Sequence, residues 1–112
     1  MSNIYEQPMT EKEILNRIYE NPFILTYFSR PDCTVCKTLR PKVEKLIAGS
    51  TDIEFQYIDI QSCPLLRGQY MIFAVPTIVL FMKGKEVKRW SRFLSVQQIE
   101  LELDHIRERI HG

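Results

Sequence analysis

Cys33-Thr34-Val35-Cys36 is the stretch of this 112-residue chain best suited to chemistry. Two thiols separated by two residues meet only where the backbone turns tightly between them. The apolar run Phe23-Ile24-Leu25-Thr26-Tyr27-Phe28 predicts a buried strand, Ser29-Arg30-Pro31-Asp32 a loop, and the pattern from Cys36 onward a helix. The pair therefore falls where a strand hands over to a helix N-terminus. The unpaired backbone N–H groups and the helix dipole at that point favour negative charge and lower a thiol's pKa. Cys33 gains most, because its sulfur can face the open end of the helix. The setting fits a dithiol–disulfide redox site.

Several elements must position that pair. Thr10 and Glu13 have the spacing of a capping box, with Met9 and Ile14 placed for a hydrophobic staple. The helix that follows carries Ile14, Leu15 and Ile18 on one stripe and closes at Asn21-Pro22. A helix from about Thr34 to Ala48 spaces Val35, Leu39, Val43, Leu46 and Ile47 helically and ends at Gly49-Ser50. Pro41 lies inside it and is expected to kink its axis. Strands are predicted at Ile4-Tyr5, Ile53–Ile60, Thr77–Met82 and Glu86–Phe93, the last two joined through Lys83-Gly84-Lys85. A short helix is expected from Ser62 to about Tyr70, with Ser62 as its cap. Ser95 and Gln98 form a second capping-box pattern before a helix with Val96, Ile99, Leu103, Ile106 and Ile110 on one face. Strands joined by helices should run parallel, and the returning strand after Met82 antiparallel. The fold class is α/β: a mixed four- or five-stranded sheet with helices on both faces, in one domain spanning 1–112. In such sheets, sites lie at the carboxyl ends of strands, where the cysteine loop falls.

Composition narrows the function. A net charge of +1 with no strongly basic patch gives no reason to expect nucleic acid as a partner. The first residues have neither a basic nor an apolar signal region, and no apolar run is long enough for a bilayer, so a cytoplasmic location is expected. Three cysteines in a reducing compartment argue against a structural disulfide framework and leave catalysis, metal binding or plain burial. A zinc site would need Cys33, Cys36, Cys63 and a histidine (His105 or His111) to converge, which nothing in their spacing suggests. Neither metal nor cofactor is expected. An iron–sulfur cluster shared by two chains through the Cys-x-x-Cys pair is chemically possible but not preferred. Cys63, before Pro64, is expected to be a small semi-buried residue. Lys83, Lys85, Lys88, Arg89 and Arg92 form the one basic concentration, part of which alternation puts on the solvent face of an edge hairpin.

In this order of elements, with Cys33-x-x-Cys36 after an apolar strand, Pro41 five residues beyond, Val75-Pro76-Thr77 ahead of another strand, the Lys83-Gly84-Lys85 hairpin and an amphipathic last helix, the chain resembles the thioredoxins. It looks most like bacterial thioredoxin-like proteins with a Cys-x-Val-Cys site. The resemblance implies a thioredoxin fold and a thiol–disulfide oxidoreductase that reduces protein or small-molecule disulfides. Cys33 would be the nucleophile and Cys36 the resolving thiol. Pro76 would follow a cis bond and pack on the dithiol, and the backbone of Val75 would pair with an extended substrate. Pro41 and Thr77 would give structural support, and an unidentified disulfide reductase would supply electrons. Residues 71–75 could form an apolar substrate platform. The alternative is a redox-sensing or partner-binding module on the same fold.

Several positions depart from the family's usual pattern. Asp32 stands where many thioredoxins have Trp, Thr34-Val35 where they have Gly-Pro, and Tyr27 where they have a buried Asp. Tyr27 cannot act as a carboxylate base at neutral pH, and Asp32 opposes the helix dipole at Cys33. Arg92 stands where the family has a Gly beside the substrate groove, and is read as a solvated edge-strand cation.

Overall fold

The computed structural model describes residues 9–91 and 94–111. The elements run α1 (Glu11–Glu20), β1 (Ile24–Ser29), α2 (Thr34–Ala48), β2 (Glu54–Asp59), α3 (Pro64–Gln69), β3 (Thr77–Met82), β4 (Lys85–Ser91) and α4 (Val96–His111). The expected strand at Ile4-Tyr5 and the residue Arg92 lie outside the described residues.

One four-stranded sheet has the order β2-β1-β3-β4. β1 is central and buried along its whole length, as its nearly continuous apolar run requires. Its alternate residues feed two cores. Leu25 and Tyr27 join Cys36, Val43, Ile47, Ile99 and Leu103 under α2 and α4. Ile24 and Phe28 join Ile14, Ile18, Leu66 and Ile72 under α1 and α3. Helices therefore cover both faces. The polar Thr26, in the middle of β1, is satisfied by donating to the Val79 carbonyl at 2.8 Å.

β1 and β2 are parallel, but β3 runs antiparallel to β1, which corrects the expectation that all helix-linked strands are parallel. The cause is the length of α3. Six residues of helix reach about 9 Å, against about 20 Å for a six-residue strand. Such a helix cannot carry the chain back to the far end of the sheet. The segment after β2 crosses one end instead, and β3 starts where β1 finishes. That reversal sets residues 74–76 beside the cysteine loop.

Local signals explain most boundaries. Thr10 and Glu13 form the complete capping box, with Glu13 N–H donating to Thr10 Oγ1 at 3.1 Å and Thr10 N–H to Glu13 Oε1 at 2.8 Å. The second box is half formed: Gln98 N–H donates to Ser95 Oγ at 3.0 Å, while the Gln98 side chain donates to Glu102. α3 is capped at Cys63 with Pro64 following, so Ser62 is not its cap; the Ser62 hydroxyl donates to Asp59. Pro64 suits the first helical turn because no N–H is needed there. Lys83 and Gly84 both have positive φ, +47° and +85°, which makes a two-residue turn and places Lys85 in β4. Ile110 is exposed, since α4 outruns the face it packs on.

Candidate redox site at the end of strand β1

The end of β1 delivers the chain into a tight loop in which Cys33 N–H donates to the Arg30 carbonyl at 3.2 Å. Cys33 is the N-cap of α2. Its backbone is extended, and its Sγ accepts the Cys36 N–H at 3.2 Å. The two Cα atoms are 5.2 Å apart and the sulfurs are joined as a disulfide. The sequence thus places the first sulfur on the helix's unpaired amides, where a thiolate would be stabilised. The two cysteines differ in access: Cys33 is half-buried, whereas Cys36 is only 1% exposed.

Beside Cys33 lies a groove of about 440 Å³ lined by Thr34, Val35, Ala74, Val75 and Pro76 and flanked by Leu39 and Leu94. The Val75–Pro76 peptide bond is cis. Thr77, buried at the start of β3, pairs with Phe28 in the ladder, and its hydroxyl donates to the Ala74 carbonyl at 2.6 Å. These two contacts seat residues 74–76 against the end of β1. Pro41 is exposed, and α2 continues across it. In the platform run, Phe73 and Met71 are 86% and 60% exposed. Ile72 points the other way and belongs to the core under α1 and α3, so it is not a platform residue.

Two contacts were not anticipated from the sequence. The Tyr27 hydroxyl, fully buried, donates to the Cys36 carbonyl at 2.7 Å. Burial, reinforced by neighbouring Tyr57, pushes the phenol up to about 12, so it stays a neutral donor. Arg89 is not a solvated edge cation. Its guanidinium donates to the carbonyls of Tyr70 at 2.8 Å and Met71 at 3.2 Å while paired with Glu86 at 2.8 Å. Only the second had a signal in the sequence, which was strand pairing. Val79 lies opposite Arg89, so Arg89 shares the α3 face. Asp32 is paired with Arg30 at 3.3 Å, both exposed.

Cys63 packs in the core beneath α1 and α3, on the other side of the sheet from Cys36. Burial, with Glu11 and Asp59 nearby, pushes its thiol up. Among the described residues no three His, Cys, Asp or Glu side chains group so as to hold a metal ion. No helix among them is long and apolar enough to cross a membrane.

The thioredoxin family model matches residues 6–105. The thioredoxin-like protein YdfQ of Bacillus subtilis is 31% identical over 93 residues, which cover 83% of each chain. The thioredoxin of Chlamydia trachomatis is 31% identical over 83 residues, covering 74% of this chain and 80% of its own. Among solved structures, thioredoxin 1 of Thermosipho africanus superimposes with a TM-score of 0.74 at 28% identity, over 80% of this chain and 99% of its own. Thioredoxins act on disulfide substrates and are themselves reduced by a reductase. A paired Cys33 and Cys36 at a strand-to-helix junction, within a matching fold and sequence, place this chain in the thioredoxin family as a thiol–disulfide oxidoreductase.

Proposed function

We propose that the chain, as a single domain over 1–112, acts as a cytoplasmic reductant of protein or small-molecule disulfides, with Cys33 as nucleophile and Cys36 as resolving thiol. The observation that carries this reading is the difference in access: Cys33 opens on the groove and Cys36 is sealed beneath it. The Cys33 thiolate attacks one sulfur of the substrate, and the other leaves as a thiolate. Cys36 then attacks Cys33, the mixed disulfide breaks, and the second substrate sulfur departs with the electron pair and takes up the proton Cys36 gave up. The Val75 backbone and Pro76 form the wall against which an extended substrate segment lies, with Pro41 and Thr77 as supports. A disulfide reductase of unidentified type restores the dithiol.

Repeated reduction of a model protein disulfide with dithiothreitol as electron source tests the reading. Many turnovers per chain are expected. A dithiol that reacts once, while its redox state changes the affinity of a bound partner, would instead make the domain a redox-sensing module.

A further inference from the structure

Cys36 must reach Cys33 from a fixed, buried position, and its peptide groups are held on both sides. Its N–H donates to Cys33 Sγ at 3.2 Å, and its carbonyl accepts the Tyr27 hydroxyl at 2.7 Å. That carbonyl is in the first turn of α2. One residue on, the Lys37 carbonyl lacks its usual helical donor, because Pro41 has no N–H. The helix is therefore short of bonds just where the resolving thiol sits. The tyrosine is itself well held. Its ring stacks on Tyr57 with centroids 6.2 Å apart and lies 6.1 Å from Phe55, and the Arg40 guanidinium sits 3.8 Å above Tyr57. Tyr27 cannot relay a proton to or from the Cys36 sulfur through this bond, since its hydroxyl is committed to the carbonyl.

We propose that Tyr27 is a positioning residue for the second step of disulfide exchange: its hydroxyl ties the Cys36 peptide to β1 and holds the resolving sulfur in line with Cys33. In that step the Cys36 thiolate bonds to Cys33 Sγ as the bond from Cys33 to the substrate sulfur breaks. The departing thiolate takes up the proton Cys36 released. The inference rests on Cys36 being the resolving thiol.

The test is single-turnover reduction of 5,5′-dithiobis(2-nitrobenzoate), which releases one coloured thiolate when Cys33 attacks and a second when Cys36 resolves. Tyr27→Phe keeps the ring and removes only the hydroxyl. Its second phase is expected to slow about three- to tenfold, the range a single lost hydrogen bond covers, while the first phase stays within about twofold. A purely structural tyrosine would lower thermal stability and leave the ratio of phases unchanged, which would overturn the proposal. Should Tyr27→Phe fold poorly, the ratio is still measured within the folded fraction, and Tyr57→Leu, which keeps the hydroxyl but loosens the ring, should show a smaller slowing of the second phase alone. Cys36→Ser separates the two claims. It should keep the first phase and lose the second; loss of the first phase there would refute the assignment of Cys36, whatever Tyr27→Phe does.

Discussion

Replacing Arg89 with methionine should loosen the loop that carries Val75-Pro76 while leaving the dithiol untouched. The arginine joins β4 to the end of α3. Of its two carbonyl contacts, the one to Tyr70 at 2.8 Å is short and charge-assisted, and the one to Met71 at 3.2 Å is at the long end of the normal range. The Glu86 pair is part-exposed and counts for about 0.5 kcal/mol. A charged hydrogen bond to a carbonyl contributes about 1.5 kcal/mol, and the weaker one about 0.5. The total loss is about 2–3 kcal/mol, or a fall in Tm of roughly 10 °C for a domain of this size. Met71, at φ +53°, sits in a left-handed conformation held at its carbonyl by this arginine. The groove wall should therefore lose order first. KM for a protein disulfide should rise several-fold, while the rate with a small disulfide, which needs little of that wall, should stay within about twofold. Arg89→Lys keeps the charge but cannot fork across two carbonyls and a carboxylate, so it should fall between the two. Urea denaturation and steady-state kinetics on both substrates provide the readouts. A change in stability below about 0.5 kcal/mol together with an unchanged KM would refute the role given to the clamp.

Three further outcomes are expected. Gly84→Ala places a Cβ against the Tyr19 ring at a positive φ, and should cost about 1–2 kcal/mol in urea denaturation; an unchanged midpoint would contradict the turn geometry. Thr10→Ala removes one arm of the capping box and should cost about 1 kcal/mol by the same measurement, with no effect on the reaction of Cys33. Trp90 is the chain's single tryptophan, and its indole donates to Glu102. That bond, aided by Gln98 and Lys88, holds the Glu102 carboxyl below the usual glutamate range. A depressed carboxyl pKa contributes stability at neutral pH and loses it as pH falls through the folded value. Tryptophan fluorescence should therefore change in acid below the ordinary glutamate midpoint, and Glu102→Gln should abolish that transition.

Much of this was legible in the chain itself. The apolar run before Cys33 marks the central strand, Thr10 and Glu13 mark the start of α1, and the Cys33 spacing marks the helix N-terminus. Each of these is a local signal with a local cause. What escaped is non-local. The direction of β3 depends on how far a six-residue helix can carry the chain, and pattern alone does not weigh that. Arg89 looked like one more cation on an edge hairpin, because its partners are carbonyls eighteen and nineteen residues away. Tyr27 was legible as a missing carboxylate, but the peptide group its hydroxyl holds was not. Ile72, inside an otherwise exposed run, turns inward because the chain has just passed the left-handed Met71.

The account rests most directly on Cys33 meeting the substrate and Cys36 completing the exchange. The decisive measurement is peptide mapping of the covalent adduct formed when Cys36→Ser meets a protein disulfide. A mixed disulfide confined to Cys33, absent from Cys33→Ser, is the predicted result. An adduct through Cys63, or turnover persisting in Cys33→Ser, would contradict it.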